Sequence, residues 1–330
     1  MTLRALLSSQ TDKTISHEVV ELDDSRLPDG DVTVAVDYSS LNYKDGLVLT
    51  GRGRLVKEYP HVGGIDLAGT VTDSASARWR AGQRVVLTGF RVGEIWWGGY
   101  ATKARVKGEW LCEVPSGVTT RQVMAIGTAG FTAMLAIDQL EQAGLRPSHG
   151  PVLVTGASGG VGSTAVHLLA RLGYEVVAST GRAAERRDDL IRFGASDVIE
   201  RDTIADVPER PLLTERWAGV VDAVGGSTLS HVLAELKYGA GVAACGLAGG
   251  DKITSTVIPF LLRGNNLFGI DSVMRPIEGR QEVWQRAAST MDLAMLDAMT
   301  TEIGLAELPD AAEAILQGHV AGRWVVNVNR

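Results

Sequence analysis

The chain has 330 residues, 45% of them hydrophobic, and 39 acidic against 32 basic side chains give a formal net charge of −7. That length suits about two domains with ordinary cores, and the acidic balance excludes a general nucleic-acid surface. Its two cysteines, Cys112 and Cys245, fit a reducing compartment and cannot build a cysteine-rich zinc site. The apolar stretch at the N-terminus is too short for a signal peptide, and no run approaches the about 18 apolar residues of a membrane span. A cytoplasmic protein without a membrane or nucleic-acid partner is expected.

Residues 1 to about 124 read as mostly β. Val32–Tyr38 alternates at period two, and Val71, Val85–Leu87 and Trp110–Val114 supply further short strands between Gly and Pro punctuation, as in a small barrel or sandwich. A helix follows over Gln122–Leu140, with Met124, Ile126, Ala129, Ala133, Leu135 and Ile137 as apolar positions. From about 151 the pattern changes to βα alternation. Val152–Val154 is a buried parallel strand, followed by a glycine-rich turn and by a helix with Val161, Ala165, Leu168, Leu169 and Leu172 on one face. Further strands are expected at Tyr174–Thr180, Asp197–Ile199, Gly219–Gly226 (running into a Gly turn), Gly241–Gly250 and, as an edge, Asn266–Asp271. Gly322–Val328 is a final strand that returns to the first domain.

The turn between the first two parallel strands carries the chemistry. Ala157-Ser158-Gly159-Gly160-Val161-Gly162 reads A-x-G-x-x-G, a dinucleotide fingerprint with Ala157 at its first glycine position. Such a turn lets the backbone approach a pyrophosphate, and the following helix N-terminus offers N–H donors. An NAD-binding unit places an acid about 20 residues further on. Here Ser179-Thr180-Gly181-Arg182 stands instead, and two hydroxyls with a forked guanidinium suit the 2′-phosphate of NADPH. The strand ends at Ala223–Gly225, Gly246–Gly249 and Asp271–Val273 are expected to line the same cofactor.

A small β-rich domain, a Rossmann insert and a terminal strand that returns home resemble the medium-chain dehydrogenase/reductase superfamily over essentially the whole chain. Ser40–Gly46, Gly63–Val71 and Gly127–Ala133 look like its zinc-free quinone-reductase branch, and Thr155–Ser163, Ala243–Gly250 and Gly269–Met274 look like the acrylyl-CoA reductase subfamily. The resemblance implies an α/β fold: a GroES-like β-rich catalytic domain at 1–124 and 300–330, and a Rossmann-type, doubly wound parallel-sheet NADPH domain at 125–299. Asn42, Ile65 and Thr128 stand where zinc alcohol dehydrogenases carry cysteine, histidine and cysteine. Amide, alkyl and hydroxyl groups do not replace a Cys₂His set, so no metal is expected.

Without a Lewis acid, conjugate reduction remains feasible. Hydride adds to the β-carbon of an enoyl thioester, donors stabilise the developing enolate, and a proton reaches the α-carbon. The expected catalytic residues are Asn42 as substrate orienter, Tyr43 as cofactor or substrate contact, and Asp66 as general acid or network carboxylate, with Asp45 structural. The resemblance adds Thr128, Arg201, Leu247, Ile258, Ser272 and Asn327 as cofactor contacts. Arg52, Arg54 and Lys57 form a basic loop that could meet the phosphates of an acyl-CoA substrate, or could simply be solvated. A homodimer is expected from the apolar segment Val257–Ile270 with its edge strand. Reduction of acryloyl-CoA to propanoyl-CoA is the leading reading. A quinone or enone reductase, or an NADPH-binding protein with a regulatory or structural role, remains open on these residues.

Overall fold

The computed structural model describes residues 2–330, which divide into two compact units: the residues up to Thr128 with Ser272–Arg330, and Ala129–Asp271. The first unit begins with strands β1 (Thr2–Thr11), β2 (Thr14–Asp23) and β3 (Val32–Leu41) and the short helix α1 (Tyr43–Thr50). Strands β4 (His61–Val62), β5 (Asp66–Ser74), β6 (Arg84–Thr88), β7 (Lys103–Val106) and β8 (Cys112–Glu113) follow. Trp110 lies in a 3-10 turn, so the strand expected at Trp110–Val114 shrinks to β8. Helix α2 (Thr120–Gln142) then leads into the second unit. By length and composition α2 could cross a membrane, against the expectation that no run comes near that length. However, 83% of its most apolar window is buried inside the protein, which makes it a core helix.

The second unit contains β9 (Val152–Val154), α3 (Gly160–Arg171), β10 (Val176–Thr180), α4 (Ala183–Phe193), β11 (Asp197–Glu200), β12 (Gly219–Asp222), α5 (Gly226–Glu235), β13 (Gly241–Ala244), α6 (Ile258–Arg263) and β14 (Asn266–Gly269). All strand pairs are parallel, in the order β11-β10-β9-β12-β13-β14. This is the doubly wound order whose strand direction of growth reverses at β9, where ligands bind beyond the carboxyl ends. The all-apolar β9 is buried at every position, as a strand with covered faces must be.

The chain then re-enters the first unit with α7 (Arg280–Thr290), α8 (Leu293–Ala298), β15 (Thr300–Gly304), α9 (Leu308–Leu316) and β16 (Arg323–Asn327). It does so from Ser272, and not from 300 as the sequence suggested. The early return has a physical basis: the Val273 carbonyl accepts the Phe90 N–H, and the buried Arg280 guanidinium donates to the Thr88 carbonyl at 2.6 Å. β16 pairs antiparallel with β3, in a sheet ordered β15-β16-β3-β5-β6-β8. Its apolar residues join a core that includes Leu3, Val34, Leu67, Val85, Tyr100 and Val326.

Candidate active site

In the first unit the site grows from the end of β3 and the start of β5. Ser40 is the penultimate residue of β3, Asn42 caps α1, and Asp66 opens β5. Asp66 is fully buried, and four donors meet it. Its Oδ2 accepts from Ser40 Oγ at 2.5 Å, Asn42 Nδ2 at 3.0 Å and the Thr128 N–H at 2.8 Å, while Oδ1 accepts from the Thr128 hydroxyl. A carboxylate so surrounded is built as an acceptor, and of the two roles expected for it the geometry favours the network anchor.

Asn42 is also tied inward. It is 8% exposed, and its amide nitrogen lies 3.1 Å from Ser40 Oγ and 3.2 Å from Asp45 Oδ2 as well as against Asp66. Its two amide hydrogens therefore serve the network, where an outward donor to substrate was expected. Asp45 is fully buried and accepts the Asn42 and Ile65 N–H groups, both at 2.9 Å. Burial and the neighbouring Asp66 push its carboxyl up to about 7. Arg323 completes the cluster from β16, with Nε on the Ala125 carbonyl at 2.7 Å and Nη2 3.4 Å from Asn42 Oδ1. Burial pulls its guanidinium below the ordinary value, opposed by Asp66 and Asp45.

Gly127 makes this packing possible. At φ 53° and ψ −164° it interrupts α2 in a conformation that essentially only glycine adopts. A Cβ there would stand 2.7 Å from Arg323 Nη2 and 2.8 Å from Asp66 Oδ2. Tyr43, next to Asn42, is by contrast 43% exposed.

The second unit brings together the residues expected for the cofactor. Gly156 holds the left-handed conformation (φ 60°), so it performs the turn that the fingerprint assigns to its first glycine, one residue before Ala157. Gly162 lets α3 lie on that turn, since a Cβ would meet the Gly156 carbonyl oxygen at 2.3 Å. Ser158 Oγ lies 2.9 Å from Thr180 Oγ1 and accepts from Arg182 Nη2 at 3.2 Å. The Arg201 guanidinium packs on Gly181, with Cζ 3.0 Å from the position of an added Cβ. Ser179 Oγ is buried with no hydrogen-bond partner among the described residues. An orphaned hydroxyl at the end of β10, two nearby residues (Ser158 and Gly181) each met by an arginine, and a glycine cradle fit a phosphate-bearing dinucleotide.

Other predicted residues are occupied elsewhere. Thr128 directs both its N–H and its hydroxyl to Asp66, Asn327 Nδ2 donates to Glu302 Oε1 at 3.0 Å, and the Ser272 carbonyl accepts from Arg280. Leu247 is exposed, and Ile258 is half-buried at the start of α6. Of the basic loop, Arg52 pairs with Glu313 at 2.8 Å, while Arg54 and Lys57 are exposed. A cavity of about 710 Å³ lined by Pro115, Glu282, Arg286 and Met291 holds none of the predicted residues.

Sequence reasoning missed Arg323, although a lone cation in an apolar strand was a signal. It also passed over Thr155 and Asp222, whose side chains bond at 2.5 Å; Asp222 further accepts the Gly225 N–H at 2.9 Å and so shapes the turn after β12. Burial raises the Asp222 carboxyl, and these donors oppose the rise.

The family profile for zinc-binding dehydrogenases matches residues 160–291, and that for the alcohol dehydrogenase GroES-like domain matches residues 28–116. The chain is 56% identical to acrylyl-CoA reductase AcuI of Ruegeria pomeroyi over 94% of either sequence. It is 51% identical to the probable acrylyl-CoA reductase AcuI of Escherichia coli over 99% of this chain and 100% of that one. It superposes with a TM-score of 0.96, at 50% identity, on the YhdH oxidoreductase of Salmonella enterica solved in complex with NADP, covering 98% of this chain and 99% of that one. The residues do not fit the zinc of the first profile's description: among the described residues no three His, Cys, Asp or Glu side chains are grouped to hold a metal ion. A GroES-like unit joined to a Rossmann-type unit, with relatives this similar over nearly the whole length, makes the chain a member of the medium-chain dehydrogenase/reductase superfamily, among whose members are the acrylyl-CoA reductases.

Proposed function

We propose that the protein is an NADPH-dependent acrylyl-CoA reductase that converts acryloyl-CoA, a short 2-enoyl thioester, to propanoyl-CoA without a metal. The observation that carries this reading is the 56% identity to an acrylyl-CoA reductase over 94% of both chains. Bound NADPH supplies a hydride for the β-carbon of the substrate. The protein's own work is to hold, orient and polarise. Ser158, Gly159, Gly160, Val161 and Gly162 cradle the diphosphate, and Ser179, Thr180, Gly181, Arg182 and Arg201 take the 2′-phosphate, with the orphaned Ser179 hydroxyl gaining a partner there. The Asp66 network fixes the first turn of α1, so that Tyr43 is presented at the surface of the first unit.

In this reading Arg54 and Lys57 are the members of the basic loop that meet coenzyme A phosphates, since Arg52 already has Glu313. The unpaired edge of β14, with Val257, Leu261 and Leu262 exposed beside it, supports a homodimer. The free Cys112 and Cys245 agree with a cytoplasmic setting. The test is NADPH consumption with acryloyl-CoA, crotonyl-CoA and benzoquinone, using deuterated cofactor. Deuterium at C3 of propanoyl-CoA is expected. Brisk quinone reduction without turnover of any enoyl-CoA would replace this reading by a quinone reductase.

A further inference from the structure

A metal-free enoyl-thioester reduction needs a donor aimed at the developing oxyanion, and the buried network directs its donors elsewhere. The Ser40 hydroxyl, the Asn42 amide and both Thr128 donors point at Asp66. Arg323 is 2% exposed and lies against the Ala125 carbonyl and Asn42. Two more donors stand on the first turn of α1, outside this cluster. Tyr43 offers a phenol hydroxyl, whereas Lys44 offers an ammonium group held in a fixed place.

Lys44 Nζ donates to Glu94 Oε1 at 2.9 Å, and the side chains are 30% and 6% exposed respectively. The Arg91 guanidinium approaches the other oxygen of Glu94, with Nε 3.3 Å away. Two cations on one buried carboxylate leave a net positive charge at this spot. The loop that delivers Glu94 is itself conformationally costly. Gly89, Phe90 and Arg91 have φ of 83°, 50° and 60°, and for the two non-glycine residues this left-handed backbone is strained. The loop is pinned by the Phe90 N–H on Val273 and by Gly93, which packs against Gly64, two residues before Asp66. Strain of this kind persists where the surroundings over-determine it, and here it brings a carboxylate to the ammonium two residues past Asn42.

We propose that Lys44 is a catalytic residue: its ammonium, held by Glu94, hydrogen-bonds the thioester oxygen of the enoyl substrate and stabilises the charge that develops there. The inference rests on the enoyl-thioester reading above. As hydride from NADPH reaches the β-carbon, the C=C π pair forms a bond between the α-carbon and the carbonyl carbon, and the carbonyl π pair moves onto oxygen. The α-carbon then takes a proton from water as the carbonyl re-forms, and NADP⁺ and propanoyl-CoA result. Lys44 gives up no proton in this step.

The experiment compares the wild type with K44M, K44R and the double variant K44M/E94Q. Steady-state rates with acryloyl-CoA are measured alongside thermal midpoints and NADPH affinity by fluorescence titration. K44M is expected to lower kcat about a hundredfold, the typical effect of losing one oxyanion donor, with NADPH affinity kept within about twofold. K44R should recover much of that loss. The double variant should stay as slow as K44M, because the cation is missing and Glu94 no longer needs a partner. Wild-type kcat in K44M, or full recovery in the double variant, overturns the proposal. So does a raised KM for acryloyl-CoA at unchanged kcat that disappears with acryloyl-pantetheine, since that would place Lys44 on a coenzyme A phosphate. Inability of the wild type to reduce acryloyl-CoA is a separate outcome, seen before any substitution, and it removes the functional reading and this inference together.

Discussion

Replacing Gly127 by alanine tests whether the buried charge cluster depends on one missing methyl. Two costs add. The backbone at φ 53° and ψ −164° lies outside the regions open to L-residues, at roughly 1–3 kcal/mol. The new Cβ also falls 2.7 Å from Arg323 Nη2, 2.8 Å from Asp66 Oδ2 and 3.1 Å from Ser40 Oγ. All three partners are buried, so the methyl must drive the guanidinium and carboxylate apart. Pushing the guanidinium off Asn42, or the carboxylate off its donors, leaves a buried polar group unsatisfied at about 1–3 kcal/mol. A loss of about 2–6 kcal/mol is expected in total, a large share of the roughly 5–15 kcal/mol that holds a typical protein together. Gly82→Ala is the control. Gly82 has φ 90° and nothing within 4 Å of an added Cβ, so it should lose only the backbone share, about 1–2 kcal/mol. Urea denaturation of both variants measures the difference. Equal midpoints for Gly127→Ala and Gly82→Ala would show that the cluster absorbs a methyl freely, and the argument from close approach would be refuted.

Three other outcomes follow from the geometry. Arg182→Ala should weaken NADPH about ten- to hundredfold while leaving NADH nearly unchanged, as loss of a charge-assisted bond predicts, and calorimetric titration of both cofactors checks it. Asp45, raised from 3.8 to about 7 in the folded chain, favours the fold fully below about pH 4, and that contribution fades as pH rises to about 7. The stability gap between wild type and Asp45→Asn should therefore shrink across this window in denaturation curves, and a gap independent of pH would contradict the assignment. Leu261→Asp beside β14 should shift sedimentation from dimer to monomer at micromolar concentration, whereas a wild type that is monomeric there would rule out the homodimer.

The fold was largely legible because its strongest signals are local. The apolar run of β9, the glycine turn after it and the change of period near residue 150 each follow from backbone and burial rules that act over about ten residues. The return at Ser272 was not legible, since it depends on the Val273 carbonyl meeting Phe90 and on Arg280 meeting Thr88, contacts that span more than 180 positions. The cofactor turn was legible in composition but displaced by one residue: the alignment put Ala157 at the first glycine position, while the left-handed φ falls on Gly156. Residue type points to a turn, and only geometry says which residue bends.

The catalytic half of the site shows a deeper limit. Asn42 and Asp66 were singled out by type, as a donor and an acid, and type does not say which way a side chain faces. Four donors around Asp66 turn it into an acceptor, and three acceptors around Asn42 occupy its amide. That mutual satisfaction is what burying them requires, because an unpaired polar group there would cost about 1–3 kcal/mol. It also means that a cluster stable enough to be buried is poorly suited to offer hydrogen bonds to a substrate. The reacting group should then stand outside the cluster, anchored by one buried partner and still partly exposed. Lys44, 30% exposed and fixed by a Glu94 that is 6% exposed, meets that description, and it was invisible to a reading that took Asn42 and Asp66 by residue type.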